Sequence, residues 1–296
     1  MTLDIKTMST EIRQLEPKSL WNKFADLNAV PRPSKKEERV IAFMKNFGEN
    51  LGLETVVDEV GNVIIKKPAT QGMEDRITVV MQSHLDMVHQ KNNDTNFDFE
   101  TQGIEMLVDG DWITANGTTL GADNGLGVAA IMAILDSKTI KHPNLEALFT
   151  IDEETGMTGA MGLEANILKG DILLNLDTEE DNEIGMGCAG GVDITATRTY
   201  TEEKVSKASF AFSITVKGLH GGHSGMDIHK GLGNANKIMN RLLFDGFTNF
   251  GLRISEINGG GFPGLPLSAR NKTLPEVLLD LYDRIGTIEG TVLELE

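Results

Sequence analysis

Three short apolar runs in this chain end in the same way. Residues 77–82 lead into His84 and Asp86, residues 145–151 into Asp152, Glu153 and Glu154, and residues 171–176 into Asp177. Runs of this length read as strands. After the first of them, 123–136 (DNGLGVAAIMAILD) reads as a buried helix. Its Gly125, Gly127, Ala129 and Ala130 leave room for close packing against a sheet. Strands alternating with helices predict an α/β fold with a mixed, partly parallel sheet. Such sheets carry their sites in the crevice beyond the carboxyl ends of the strands. Asp123 opens the helix inside 117–127 (GTTLGADNGLG). His84 and five of these carboxylates, Asp86, Asp123, Glu153, Glu154 and Asp177, therefore belong at one crevice although distant in sequence.

Taken singly, each element has an ordinary use. A His-x-Asp pair arises by chance, an Asp-Glu-Glu after a strand is commonly a solvated turn, and an aspartate opening a helix is commonly an N-cap. Together they pose a physical problem, because so many unpaired acids repel one another and are costly to desolvate. Divalent cations remove that cost. Histidine with carboxylates is a usual zinc ligand set, and a bridging carboxylate suits two metals about 3.5–4 Å apart.

Elsewhere, 34–51 reads as a helix opened by a Ser34/Glu37 capping box, and 53–66 as a hairpin with a two-residue Gly61-Asn62 turn. A further helix is expected near 157–168. Alternation from Phe210 to Val216 predicts a half-buried strand, and 232–243 reads as a helix. The texture changes near 187–191. The expected organisation is therefore a catalytic metal-binding domain over 1–187 and a smaller α+β domain over 188–296. With 27 Lys and Arg against 44 Asp and Glu, the chain carries a formal net charge of −17. That surface disfavours nucleic acid and anionic membrane as partners. One cysteine, Cys188, and no secretory-type start point to the cytoplasm.

The set SHLDMV, GTTLGADNGLG, IDEETGMTGA, NLDTEE and GLHGGHSG resembles the M20 metallopeptidases, in particular the aminoacyl-histidine dipeptidase type, from about residue 10 to about 260. The resemblance implies a di-zinc peptidase fold with an inserted lid domain that often mediates homodimers. It implies two divalent metal ions, zinc first with cobalt or manganese as substitutes. His84 and Asp177 would hold one metal, Glu154 would help hold the other, and Asp123 would bridge them. Glu153 would be the general base on a metal-bound water. Asp86 would orient His84 from its second ring nitrogen, and His223 would meet the substrate carbonyl. The implied reaction is hydrolysis of a dipeptide, Xaa-His or of broad sequence. His89 is no ligand in the family pattern, His220 and His229 are expected at the surface, and His142 in a loop.

Members of that family are longer, and a returning C-terminal segment supplies the last metal-ligating histidine. Here the pattern departs from about residue 262, although 273–285 still has helical spacing. The expectation is a partial lid domain, a weakened second metal site and weak activity for this chain alone. An N-acyl amino acid deacylase of the same superfamily and a non-catalytic remnant are the alternatives.

Overall fold

The structure is a computed structural model that describes residues 11–92, 94–178, 182–187, 197, 199–220, 227–257 and 294–295. It divides into two compact units, Met1–Ile184 and Gly185–Glu296. His223, Cys188 and the expected helix over 273–285 lie outside the described residues.

In the first unit the elements run α1 (Lys18–Asn28), α2 (Glu38–Asn50), β1 (Glu54–Val57), β2 (Val63–Lys67), β3 (Val79–His84), β4 (Met106–Asp109), β5 (Trp112–Ala115), α3 (Ala122–Asp136), β6 (Leu145–Thr150), α4 (Glu153–Gly156), α5 (Thr158–Met161) and β7 (Ile172–Asn175). Five strands form a mixed sheet in the order β1-β2-β6-β3-β7. β3 pairs in parallel with β6 and with β7, whereas β1–β2 and β2–β6 are antiparallel. β4 and β5 form a separate hairpin.

β6 is buried at all six positions, which explains its nearly unbroken apolar sequence. Its one acid, Glu146, accepts hydrogen bonds from the backbone N–H of Lys169 (2.7 Å) and Gly170 (2.8 Å). On one face of the sheet, Val63, Ile65, Met81, Ala147 and Phe149 meet Val40 and Met44 of α2 and Val128, Ile131, Met132 and Leu135 of α3. On the other, Ile64, Val80 and Leu148 meet Leu163, Ile167 and Leu168. β7 is the edge strand, and its Leu173 is 61% exposed.

Several local expectations are corrected. Ser34 does not cap α2: its hydroxyl donates to Asp86 Oδ2 (2.8 Å), and Glu37 has no side-chain capping bond. The helix begins only at Glu38, with Glu37 at its N-cap position, so Ser34 lies before the helix end and its hydroxyl serves the buried acid instead. The β1–β2 connection spans 58–62 rather than two residues, because Asp58 Oδ1 gathers the N–H groups of Val60, Gly61 and Asn62. The helix expected near 157–168 is reduced to the single turn Thr158–Met161, which Met157 with φ +51° separates from the preceding turn Glu153–Gly156.

The second unit contains β8 (Ile214–Thr215), a 3₁₀ turn (Ile228–Lys230), α6 (Ala235–Phe250) and β9 (Glu294–Leu295), which pairs antiparallel with β8. α6 starts where Asn234 Oδ1 accepts the Lys237 N–H (3.0 Å) and ends at Gly251 with φ +67°. The expected strand over 210–216 shrinks to Ile214–Thr215, with Phe210 and Phe212 both exposed. No helix among the described residues is long and apolar enough to cross a membrane.

Candidate metal centre

Sheet register brings the acids to the histidine. His84 closes β3 opposite Thr150 of β6, so Glu153 and Glu154 follow within one turn of chain. Gln82 of β3 lies opposite Asn175 of β7. Two residues further along each strand, His84 and Asp177 reach the same level. Asp123 arrives from the start of α3, where Gly121 in the left-handed region (φ +71°, ψ +29°) turns the chain. Asp123 (φ −82°, ψ +113°) and Asn124 (φ −105°, ψ +30°) both depart from helical geometry, so regular helix begins only after Asn124.

The result is a cluster around one buried imidazole. His84 Nε2 lies 3.1 Å from Asp123 Oδ1, 3.7 Å from Asp177 Oδ2 and 3.9 Å from Glu153 Oε2. Candidate ligand atoms of His84, Asp123 and Asp177 all fall within 4.8 Å of one another, as do those of His84, Glu153 and Glu154. Glu153 and Glu154 open one turn of α-helix, not the strand or irregular turn that adjacent acids with separate roles would favour. Both nonetheless reach the cluster, and position alone does not separate a ligand from a base. His89 stays outside it, with its ring 5.9 Å from that of Phe99.

Asp86 is fully buried and ties two parts of the site together. Its Oδ1 is 3.3 Å from His84 Nδ1 and accepts the Glu153 N–H (3.0 Å). Its Oδ2 accepts the Glu154 N–H (3.2 Å) and the Ser34 hydroxyl. The carboxylate thus fixes both the imidazole ring and the turn carrying the two glutamates. Burial would raise the Asp86 pKa, but the hydrogen bond and charge of His84 outweigh it and hold it below the usual range.

Two residues not singled out in the sequence complete the site. Arg32 is fully buried in a loop between Pro31 and Pro33. Its Nη1 donates to the carbonyls of Leu85 and Asp86, both at 3.1 Å. Its Nη2 donates to Asn28 Oδ1 (3.0 Å) and the Gly121 carbonyl. It therefore joins the backbone just after His84 to the backbone just before Asp123. Burial lowers its pKa to about 10, against the pull of Asp86, Asp123 and Glu154. A Cβ at Gly121 or Gly125 would come within 2.5 or 2.6 Å of Nη2, so these two glycines admit the guanidinium. The second residue, Asn124, donates from Nδ2 to the Leu176 carbonyl (3.0 Å) and Asp177 Oδ1 (3.1 Å). Arg32 has no periodicity or motif that would expose it in a sequence, and Asn124 lies in the 117–127 stretch without a chemistry that marks it out beside Asp123.

The electrostatics show a cluster short of positive charge. Burial and the charge of Asp123 raise Glu154 to about 7. Burial raises Asp177 to about 6, with Asp123 adding to it. Glu153 is also raised by burial. Burial alone would lower His84, but hydrogen bonds to Asp123 and Asp86 prevail and raise it to about 10. An imidazole and carboxylates with converging donor atoms match the ligand preferences of zinc and similar dications.

A pH dependence follows for the metal-free chain. Glu154 and Asp177 keep protons in the folded state above their ordinary pKa values of 4.5 and 3.8. Folded protein then binds more protons than unfolded protein, so stability falls as pH rises from about 4 to about 7. His84 acts in the same sense: its contribution is full below pH 6.5 and is lost as pH rises through about 10. Thermal unfolding of chelator-treated protein should therefore give a melting temperature that declines from about pH 5 to pH 9. A flat or rising profile would contradict these shifts. Added zinc should restore stability most strongly at the higher pH, where its ligands are deprotonated.

Residues 80–235 match Peptidase family M20/M25/M40. That segment contains every member of the cluster around His84. The chain is 48% identical over 251 residues to the cytosol non-specific dipeptidase of Escherichia coli strain K12, covering 85% of this chain and 52% of that protein. It is 25% identical over 227 residues to the uncharacterized protein YqjE of Bacillus subtilis strain 168, covering 73% and 53%. The crystal structure of aminoacylhistidine dipeptidase from Vibrio alginolyticus superposes with a TM-score of 0.61 at 45% identity, covering 92% of this chain and 57% of that one. The chain thus spans about half the length of the curated relatives it matches. The matched segment is more than half of this sequence and carries the acids that its strands deliver to His84: the chain belongs to peptidase family M20/M25/M40.

Proposed function

We propose that this protein hydrolyses dipeptides in the cytoplasm with two divalent cations, zinc being the first choice. The observation that carries the reading is a buried imidazole with Asp123, Asp177 and Glu153 oxygens within 3.9 Å of its Nε2. His84 and Asp177 would hold one cation, Glu154 the other, with Asp123 shared between them. Bound cations supply Lewis acidity, which makes water easier to deprotonate and polarises a carbonyl. The names of two relatives, a non-specific dipeptidase and an aminoacylhistidine dipeptidase, support a small unblocked peptide as substrate.

The protein's own groups then have separate tasks. Glu153 takes a proton from the attacking water and returns it to the departing amine. Asp86 holds His84 in one orientation and tautomer, as carboxylates beside metal-binding histidines do. His223 meets the substrate carbonyl, with the glycines around it allowing close approach of the backbone. The second unit acts as the lid and as a homodimer contact.

Incubation of the purified protein with Xaa-His and other dipeptides tests the reading. Release of free amino acids should stop after treatment with chelator and return on adding zinc, cobalt or manganese. Hydrolysis that persists in chelator would overturn it. Turnover of N-acyl amino acids without turnover of dipeptides would assign the site to deacylation.

A further inference from the structure

We propose that Asn124 is a positioning residue that makes Asp177 a one-oxygen ligand; this rests on the two-cation reading above. The two oxygens of Asp177 are in different situations. Oδ1 accepts from Asn124 Nδ2 at 3.1 Å, whereas Oδ2 lies 3.7 Å from His84 Nε2. An oxygen already engaged by an N–H has less electron density to offer a cation. Asn124 thereby turns a symmetric carboxylate into one with a side committed to an amide and a side facing His84.

The amide orientation is settled by its surroundings. Nδ2 sits between two oxygens that can only accept, the Leu176 carbonyl and Asp177 Oδ1. Reversing the amide would set oxygen against both. Asn124 is 5% exposed, and packing leaves it little freedom. A Cβ at Gly127 would lie 2.6 Å from Asn124 Oδ1, 2.5 Å from Ser83 Oγ and 3.1 Å from the Leu176 carbonyl. The missing side chain of Gly127 is the space in which the amide is held. Asn124 also follows Asp123 directly, and both residues depart from helical φ/ψ. Neighbouring residues can therefore serve the site from two sides, Asp123 facing His84 and Asn124 gripping Asp177. The same amide ties the Leu176 backbone to α3, so the chain at the end of β7 cannot drift from the cluster.

A one-oxygen Asp177 leaves a coordination position that a two-oxygen carboxylate would occupy. Catalytic zinc sites need such an open position. Without Asn124, Asp177 is free to rotate and take the cation through both oxygens.

The test uses cobalt(II) added to purified, metal-free chain, wild type beside Asn124→Leu. Cobalt in low coordination absorbs visible light more strongly than cobalt in higher coordination. The variant should absorb more weakly per bound cobalt, and its affinity should fall by about 10–100-fold, as for other residues that orient ligands. A metal-binding variant with the wild-type spectrum, whatever its affinity, would overturn the role of Asn124. A wild type that takes up no cobalt would overturn the two-cation reading and this inference with it. A further measurement needs neither a variant nor a metal. In chain labelled with ¹⁵N-asparagine, the assigned side-chain amide protons of Asn124 should exchange slowly with solvent, because both are engaged. Rapid exchange of that pair would equally overturn the proposal.

Discussion

Arg32→Met should lower the unfolding free energy of the metal-free protein by about 3–5 kcal/mol, the usual cost of removing one partner from a buried charged network. The guanidinium is, with His84, a buried cation facing Asp86, Asp123 and Glu154, and it satisfies the Leu85, Asp86 and Gly121 carbonyls and the Asn28 side chain. Methionine fills much of the same space but donates nothing. Four acceptors would be left in a water-poor region, where each unmet group carries its own desolvation penalty. Arg32→Lys should recover only part of the loss, since one ammonium cannot reproduce a fork that reaches both the His84 and the Asp123 backbones. Urea titration followed by circular dichroism measures the difference. A loss below about 1 kcal/mol would show that the acids do not depend on this residue.

The second large effect is catalytic. Glu153→Gln should slow dipeptide hydrolysis by about 10²–10⁴-fold while zinc content stays at the wild-type level, which is the signature of a lost general base. Glu154→Gln should instead lower zinc content and lose activity with it. Because both side chains come from one helical turn and both reach the cluster, the pair of variants decides a division that distance does not. Metal content by elemental analysis, alongside initial rates, separates the outcomes. Loss of metal in Glu153→Gln with retention in Glu154→Gln would exchange the two roles.

The parts of this architecture that were legible in the sequence share one property. β3, β6 and β7 are apolar runs followed at once by polar residues, so strand and strand end are marked together. Parallel pairing then aligns those ends, which is why His84, Glu153, Glu154 and Asp177 meet. What could not be read depended on contacts between distant segments. Ser34 looked like a cap, yet Asp86, 52 residues away, takes its hydroxyl. Gly125 looked like a general packing residue, yet it and Gly121 make room for one guanidinium. Arg32 carries no pattern of its own, since its partners are mostly backbone carbonyls and carbonyls leave no trace in composition. The alternation from Phe210 to Val216 misled for a related reason. Period two describes which side chains could share a face, and only a neighbouring strand makes that face a sheet; among the described residues pairing is limited to Ile214–Thr215 with Glu294–Leu295.

The central claim is that the fold gathers these acids and His84 to hold cations. Anomalous diffraction from zinc-soaked crystals, recorded on both sides of the zinc absorption edge, tests it most directly. The account predicts two edge-dependent peaks about 3.5–4 Å apart, one beside His84 and Asp177, the other beside Glu154, with Asp123 between them. Zinc peaks found only elsewhere on the protein, with the imidazole still hydrogen-bonded to Asp123, would contradict it.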